Sequence, residues 1–242
     1  SVVQDEMLWR RDGKGFYVRY SSRPMYNKGE VSGAVITFND VTLKRRAEME
    51  LLANKERLQV QNDALTELGR GPSARPGGAD AAFLEAAETA APAVYADRVS
   101  VWLFSEDRAA LVCRACWDRA SRTPSSGLRL ERAAYPAYFR RLERERYLVV
   151  DDARSDFRVS EFRETFIKPG NIGSVLEIVI NNGGKAAGVI RAERSGPPRP
   201  WQLDERNMLA AVADFAALAL ASSEKAKLEE MKDFLTHTIV HD

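Results

Sequence analysis

Residues 172–193 read IGSVLEIVINNGGKAAGVIRAE, two apolar runs rich in β-branched residues on either side of Asn182-Gly183-Gly184. That tripeptide supplies the backbone freedom a tight reversal needs, so the stretch predicts a β-hairpin of SVLEIVI against KAAGVIRAE. Glu177 stands out inside it. A carboxylate within an apolar run must be exposed, paired or part of a site. Pairing with an arginine such as Arg191 on the next strand is the structural explanation, and contact with a ligand is the functional one.

Outward from the hairpin, the pattern over residues 81–222 is that of a compact α+β domain. Downstream, the stiff loop SGPPRPW hands over to a helix, and no proline or glycine interrupts the chain from Leu203 to Asp242. Unbroken, that helix spans about 60 Å at 1.5 Å per residue. Its first half, MLAAVADFAALALA, is apolar enough to be buried against the domain. Residues 223–242 are charged, with a thin stripe at Leu228, Met231, Leu235 and Thr238, a seam that needs a partner helix.

Upstream of the hairpin, PAYFRRLERER and DFRVSEFRETFIK read as helices, with YLVVDD between them as a short strand. Asp151 and Asp152 end that strand, where turn-forming and capping duties are usual. VSVWLF and ALVCRACW read as strands joined by the charged turn SEDRA. AAFLEAAETAAPAVYA reads as a helix bent or broken near Pro92.

GRGPSARPGGAD, residues 69–80, is a linker by its Gly, Pro and Ser content. Before it, residues 43–68 carry a heptad stripe of Ala47, Leu51, Leu58, Leu65 and Leu68, with Asn54 and Gln61 on the same seam. The outer face is too polar to pack on both sides, which favours a two-stranded parallel coiled coil over a helix lying on its own domain. Residues 1–42 hold about three antiparallel strands, with Asp12-Gly13 as a hairpin turn. They have no helices of their own and need a partner to bury an apolar face.

The 242 residues leave room for one or two domains, and 45% hydrophobic content is enough for real cores. A formal net charge of +1 gives no reason to expect nucleic acid or an anionic membrane as partner. No apolar run is long enough to cross a bilayer and the first residues form no signal peptide, so a cytoplasmic location is expected. Cys113 and Cys116 nominally form C-x-x-C, but a regular strand points residues three apart to opposite faces. Two buried strand thiols are expected rather than a redox or zinc motif.

Three stretches carry a resemblance to known families. WRRDG, then GEVSGAVITFNDVT and a charged helix, resembles the C-terminal strands of a PAS domain, with Asp40-Val41-Thr42 as its strand-to-helix exit. Residues 81–222 resemble a GAF domain in element order, above all in DRVSVWLFSED, DDARSD and the hairpin. LTHTIVHD, residues 235–242, resembles the opening of the H box of a sensor histidine kinase. Together these resemble part of a PAS–GAF sensor histidine kinase cut at its H box. The implied fold is an antiparallel-sheet GAF-like domain with flanking helices. PAS-type strands and a coiled-coil helix would precede it, and a long C-terminal helix would follow.

The resemblance implies that His241 is the phosphate acceptor and Asp242 its acidic neighbour and general base. The chemistry suits those residue types. A neutral imidazole can attack the γ-phosphate of ATP near pH 7, and a carboxylate can orient one ring nitrogen and take its proton. By itself, a His-Asp pair at a helix C-terminus is commonplace and favoured by the helix dipole. His237, one turn earlier, matches no catalytic position. No phosphate loop or ATP lid is present, so ATP and magnesium would bind in a domain downstream and this chain should be inactive alone. A parallel homodimer and a cognate response regulator are implied as partners.

GAF folds are concave, and a small-molecule pocket lined by Trp102, Trp117, Tyr138, Phe139, Glu177 and Arg191 is expected. Residues 81–222 contain no histidine, which disfavours haem, and the two cysteines lack the neighbouring histidine of a thioether-linked bilin. Neither haem, bilin nor metal is therefore expected. A rival reading is a regulatory ligand-binding module feeding a different output, without phosphotransfer. A second rival, an enzyme within the GAF-like domain, would have only carboxylates to work with.

Overall fold

The computed structural model describes residues 4–69 and 78–240, which fall into two compact units, residues 1–59 and 60–242. In the first unit, β1 (Gln4–Trp9), β2 (Gly15–Asn27) and β3 (Glu30–Asp40) form an antiparallel sheet in that order. Asp12-Gly13 makes the first turn, with Gly13 at φ 79, and Lys28-Gly29, at φ 51 and 89, makes the second. β3 is exposed along its whole length, so Val31, Val35, Ile36 and Phe38 remain open among the described residues.

The exit from this sheet is tied by side chains. Thr42 Oγ1 accepts the Tyr17 N–H at 2.8 Å, and Asp40 Oδ1 accepts the Thr42 N–H at 3.0 Å. Asp40 also pairs with Arg10 at 2.9 Å. Its hydrogen bonds from Thr42, more than the Arg10 charge, hold the carboxyl below the usual range. The chain then enters α1 (Thr42–Leu68).

The second unit is built on a six-stranded antiparallel sheet ordered β6-β5-β4-β9-β8-β7. Its strands are β4 (Arg98–Phe104), β5 (Ala110–Asp118), β6 (Arg129–Glu131), β7 (Tyr147–Val150), β8 (Ile172–Asn182) and β9 (Lys185–Ser195). The β8–β9 hairpin turns at Gly183 and Gly184, φ 59 and 80, as its sequence predicts. At Gly188 the close approach of β4 leaves no room for a side chain, because a Cβ there would fall 1.9 Å from the Trp102 carbonyl.

One face of the sheet is covered by α2 (Gly78–Ala93), the last turns of α1 and the first half of α4 (Leu203–Val240). Ala82, Ala86, Ala87 and Ala90 let α2 approach closely, and Phe83 fills the space beside them. Pro92 lies in the last turn of α2, and the helix ends one residue later. Met208, Leu209, Val212, Ala213 and Ala216 form the buried face of α4. Glu205 is fully buried at its start, accepting the Gln202 N–H at 2.8 Å and pairing with Arg194 at 2.8 Å and with Arg199. The Arg194 guanidinium lies 3.5 Å over the Trp201 ring.

The opposite face carries α3 (Pro136–Leu142) and the segment 157–167. Two local expectations are corrected. α3 is seven residues long rather than eleven, ending before Glu143. Segment 157–167 is a 3-10 turn followed by a π turn, not one α-helix, because Val159 at φ −113 leaves the helical region. β6 is too short to show an alternating pattern in sequence.

The heptad stripe of α1 is not one continuous seam. Gln61, Ala64 and Leu68 are buried in the core of the second unit. Gln61 Nε2 donates to the Ala93 carbonyl at 3.3 Å and to Asp204 Oδ2 at 3.2 Å, tying the ends of three helices. Further upstream, Leu51 and Leu58 are 70% and 58% exposed, and Asn54 accepts a hydrogen bond from Arg57 at 2.9 Å.

Candidate functional site

A cleft of about 510 Å³ opens on the sheet face that carries α3. A β-bulge creates its floor. Ser100 pairs with Cys116, Val101 with Ala115, and Trp102 with Cys113, so Arg114 is an extra residue in β5. The bulge cancels the alternation between positions 113 and 116. Both thiols therefore line the cleft beside Trp102, which corrects the expectation of opposite faces. They are free thiols, and burial pushes Cys113 up to about 12 and Cys116 upward as well.

The rim is a loop zipped to the outer edge of β5. Cys116 and Ser125 exchange N–H···O bonds of 2.8 and 3.0 Å, and the Leu128 carbonyl accepts the Cys113 N–H at 2.8 Å. Ser121, Thr123, Ser125 and Ser126 lie on this rim, and Phe166 also lines the cleft.

A chain of ion pairs runs from the mouth of the cleft into the core. Arg98 binds Asp118 at 2.8 Å and Glu193 at 3.3 Å. Arg191 lies 3.8 Å from Glu193 and donates from Nε to Glu177 Oε1 at 2.5 Å. Tyr138 donates its hydroxyl to the same Glu177 oxygen at 3.2 Å and accepts from Arg191 Nη2 at 3.2 Å. Burial pushes the Glu193 carboxyl upward against the pull of Arg191 and Arg98. Burial also raises Tyr138, reinforced by the Glu177 charge, so its hydroxyl stays protonated. For Arg191, burial disfavours the charge, but Glu177 and its other partners outweigh it and raise the guanidinium.

The residues expected to form a pocket are divided by the structure. Trp102 and Arg191 line the cleft. Tyr138, Phe139 and Glu177 are buried behind it, where Phe139 packs edge-on to Phe104 at 6.0 Å. Trp117 packs against the opposite core because the bulge turns it to the other face. Glu177 pairs with Arg191, the structural explanation offered by the sequence. Among the described residues its second oxygen has no hydrogen-bond partner, and the side chain borders two voids of about 10 Å³ each.

Asp151 and Asp152 have turn duties: Asp151 accepts the Trp201 N–H at 2.9 Å, and Asp152 the Arg154 N–H at 3.0 Å. His241 and Asp242 lie outside the described residues.

Arg98, Ser100, Asp118 and Glu193 were missed from sequence. Glu193 was legible in principle, because it lies two residues beyond Arg191 in β9 and so on the same face. Among the described residues, no cluster of three or more His, Cys, Asp or Glu side chains could hold a metal ion. No described helix is long and apolar enough to cross a membrane.

Residues 79–220 match the GAF domain family. No curated protein matches the sequence. Among solved structures, the GAF domain of a phosphoenolpyruvate-protein phosphotransferase from Coxiella burnetii superposes with a TM-score of 0.57 at 16% identity, covering 70% of this chain and 98% of that one. The blue-light absorbing form of the Thermosynechococcus elongatus PixJ GAF domain gives 0.54 at 17%, covering 66% and 93%. The chromophore-binding domain of an unusual bacteriophytochrome from R. palustris gives 0.56 at 16%, covering 92% and 74%. At these identities the likeness is one of fold.

Proposed function

This chain belongs to the GAF domain family, and on that premise we propose that it is the sensory and relay portion of a two-component sensor histidine kinase. In this reading residues 1–42 are the closing strands of a PAS domain, and 43–68 form a signalling helix. Residues 69–80 link it to the GAF domain, 81–222, and 223–242 enter the dimerisation and phosphoacceptor helix. His241 accepts the phosphoryl group, and Asp242 orients the imidazole and takes its proton. ATP and magnesium are held by a domain following in the parent protein, two chains pair in parallel, and a response regulator receives the phosphate.

The observation that carries the reading is the alternation along β4 and β9. Ser100, Trp102, Arg191 and Glu193 face the cleft, while Val99, Val101, Ile190 and Ala192 between them belong to the core that holds α4. A ligand in the cleft therefore acts on α4 through the thickness of one sheet. Beyond that core, α4 continues with Leu228, Met231 and Phe234 exposed, toward His241.

The chromophore named in the R. palustris structure supports a small-molecule input at such a site. A tetrapyrrole is accordingly one of the ligands to test, despite the expectation from the cysteine pattern. The decisive experiment is phosphotransfer from labelled ATP in the chain extended through its downstream domains. Label is expected on the native protein and absent from His241→Gln. Label persisting in that variant, or a downstream sequence without an ATP-binding domain, would favour a regulatory module with a different output.

A further inference from the structure

We propose that the cleft beside Trp102 takes an uncharged, flat, hydrogen-bonding heterocycle and rejects its anionic and cationic counterparts. The proposal rests on the cleft being the input site, and it adds the class of molecule that enters.

The charged residues that line the cleft are already committed to ion pairs. Arg98 is held by Asp118 and Glu193, and Arg191 by Glu177 and Glu193. Among the described residues that line the cleft, an incoming phosphate or carboxylate meets no spare cation, and capturing one would strip a buried carboxylate of its partner, a costly exchange. A cation fares no better. The two carboxylates that line the cleft, Asp118 and Glu193, are already held by Arg98 and Arg191, so a cation would have to displace an arginine from them.

Beside these committed ion pairs the floor is polarisable. Trp102 is 5% exposed and its Nε1 donates to Ser100 Oγ at 2.8 Å, so the indole offers hydrocarbon rather than a donor. Cys113 and Cys116 place two protonated sulfurs beside it. Sulfur and indole together suit the face or edge of a flat π-system. Polar recognition falls to the hydroxyl-bearing rim residues Ser121, Ser125 and Ser126, since the Thr123 hydroxyl already donates to the Ser121 carbonyl at 3.1 Å. Between the sheet and α3 the side chains pack closely. Tyr138, Phe162 and Arg191 fill the space and leave voids of about 10 Å³.

The test is ligand-observed NMR on the whole chain with matched sets of probes. One set is nicotinamide, nicotinate and 1-methylnicotinamide, and the other is indole, indole-3-carboxylate and tryptamine. The neutral member of a set should bind at least about tenfold more tightly than either charged one. Cys116→Phe, which fills the cleft, should abolish that binding. Asp118→Asn, which removes one of the two carboxylates holding Arg98, should raise affinity for the anionic member several-fold, and Glu193→Gln provides a second route if the first variant is poorly folded. Equal or tighter binding of a charged probe by the native chain overturns the ligand class and leaves the sensing role standing. If no probe binds, or binding survives Cys116→Phe, the cleft is not the input site and both readings of it fall. The phosphotransfer outcome is independent of all three results.

Discussion

Glu177 and Arg191 face each other across the β8–β9 ladder and meet at 2.5 Å, both nearly inaccessible to water, with the Tyr138 hydroxyl closing the triangle. A buried pair of this kind is sustained by mutual compensation rather than by a large net gain. Its attraction mainly offsets the cost of dehydrating two charges.

Removing one partner should therefore cost more than replacing both. Arg191→Met is expected to destabilise the chain by about 3–5 kcal/mol, since Glu177 is then buried without its partner. Glu177→Met combined with Arg191→Met should recover part of that loss. Urea unfolding followed by circular dichroism gives the comparison. A double variant no more stable than the single would show that this compensation does not govern the pair.

Gln61 supplies a second prediction. Its amide joins the ends of α1 and α2 and the first turn of α4 within one unit. Gln61→Leu should destabilise that unit by about 1 kcal/mol through the lost hydrogen bonds. Were Gln61 instead the register-setting residue of a coiled coil, leucine would strengthen dimerisation. Unfolding midpoints measured at several protein concentrations separate the outcomes: a lower midpoint that does not vary with concentration is expected.

The third prediction concerns alkaline pH. Cys113 has its acidity pushed up to about 12 by burial, against an ordinary value of 9.0. Between those values the folded chain holds a proton that the unfolded chain has released, so stability declines as pH rises. The contribution is complete below pH 9 and is lost on approach to 12. Cys113→Ala should flatten the fall in urea midpoint between pH 8.5 and 10.5. A variant with an unchanged slope would place the alkaline sensitivity elsewhere, with Cys116 the first alternative because it shifts in the same direction.

What the sequence revealed depended on whether a local rule fixed the geometry. The hairpin was legible because Asn182-Gly183-Gly184 permits one kind of reversal, and the turn sets the strand pairing that brings Glu177 to Arg191. One inserted residue hid the cleft. The bulge at Arg114 reverses the side-chain alternation of β5, so Cys116 joins Cys113 on the floor and Trp117 moves to the other face. Nothing in CRACW announces that break. Gln61 and Leu68 misled for a different reason: a heptad repeat looks the same whether its stripe meets another chain or its own domain.

The uninterrupted backbone of α4 has a mechanical corollary. Leu209 is locked in the core and Phe234 stands in solvent on the same helix, about 38 Å along its axis. With no proline or glycine between them to absorb torsion, a twist imposed at Leu209 is carried to Phe234 with little loss. The helix thus behaves as a drive shaft, and a few degrees of turn at the sheet become the same few degrees at its tip.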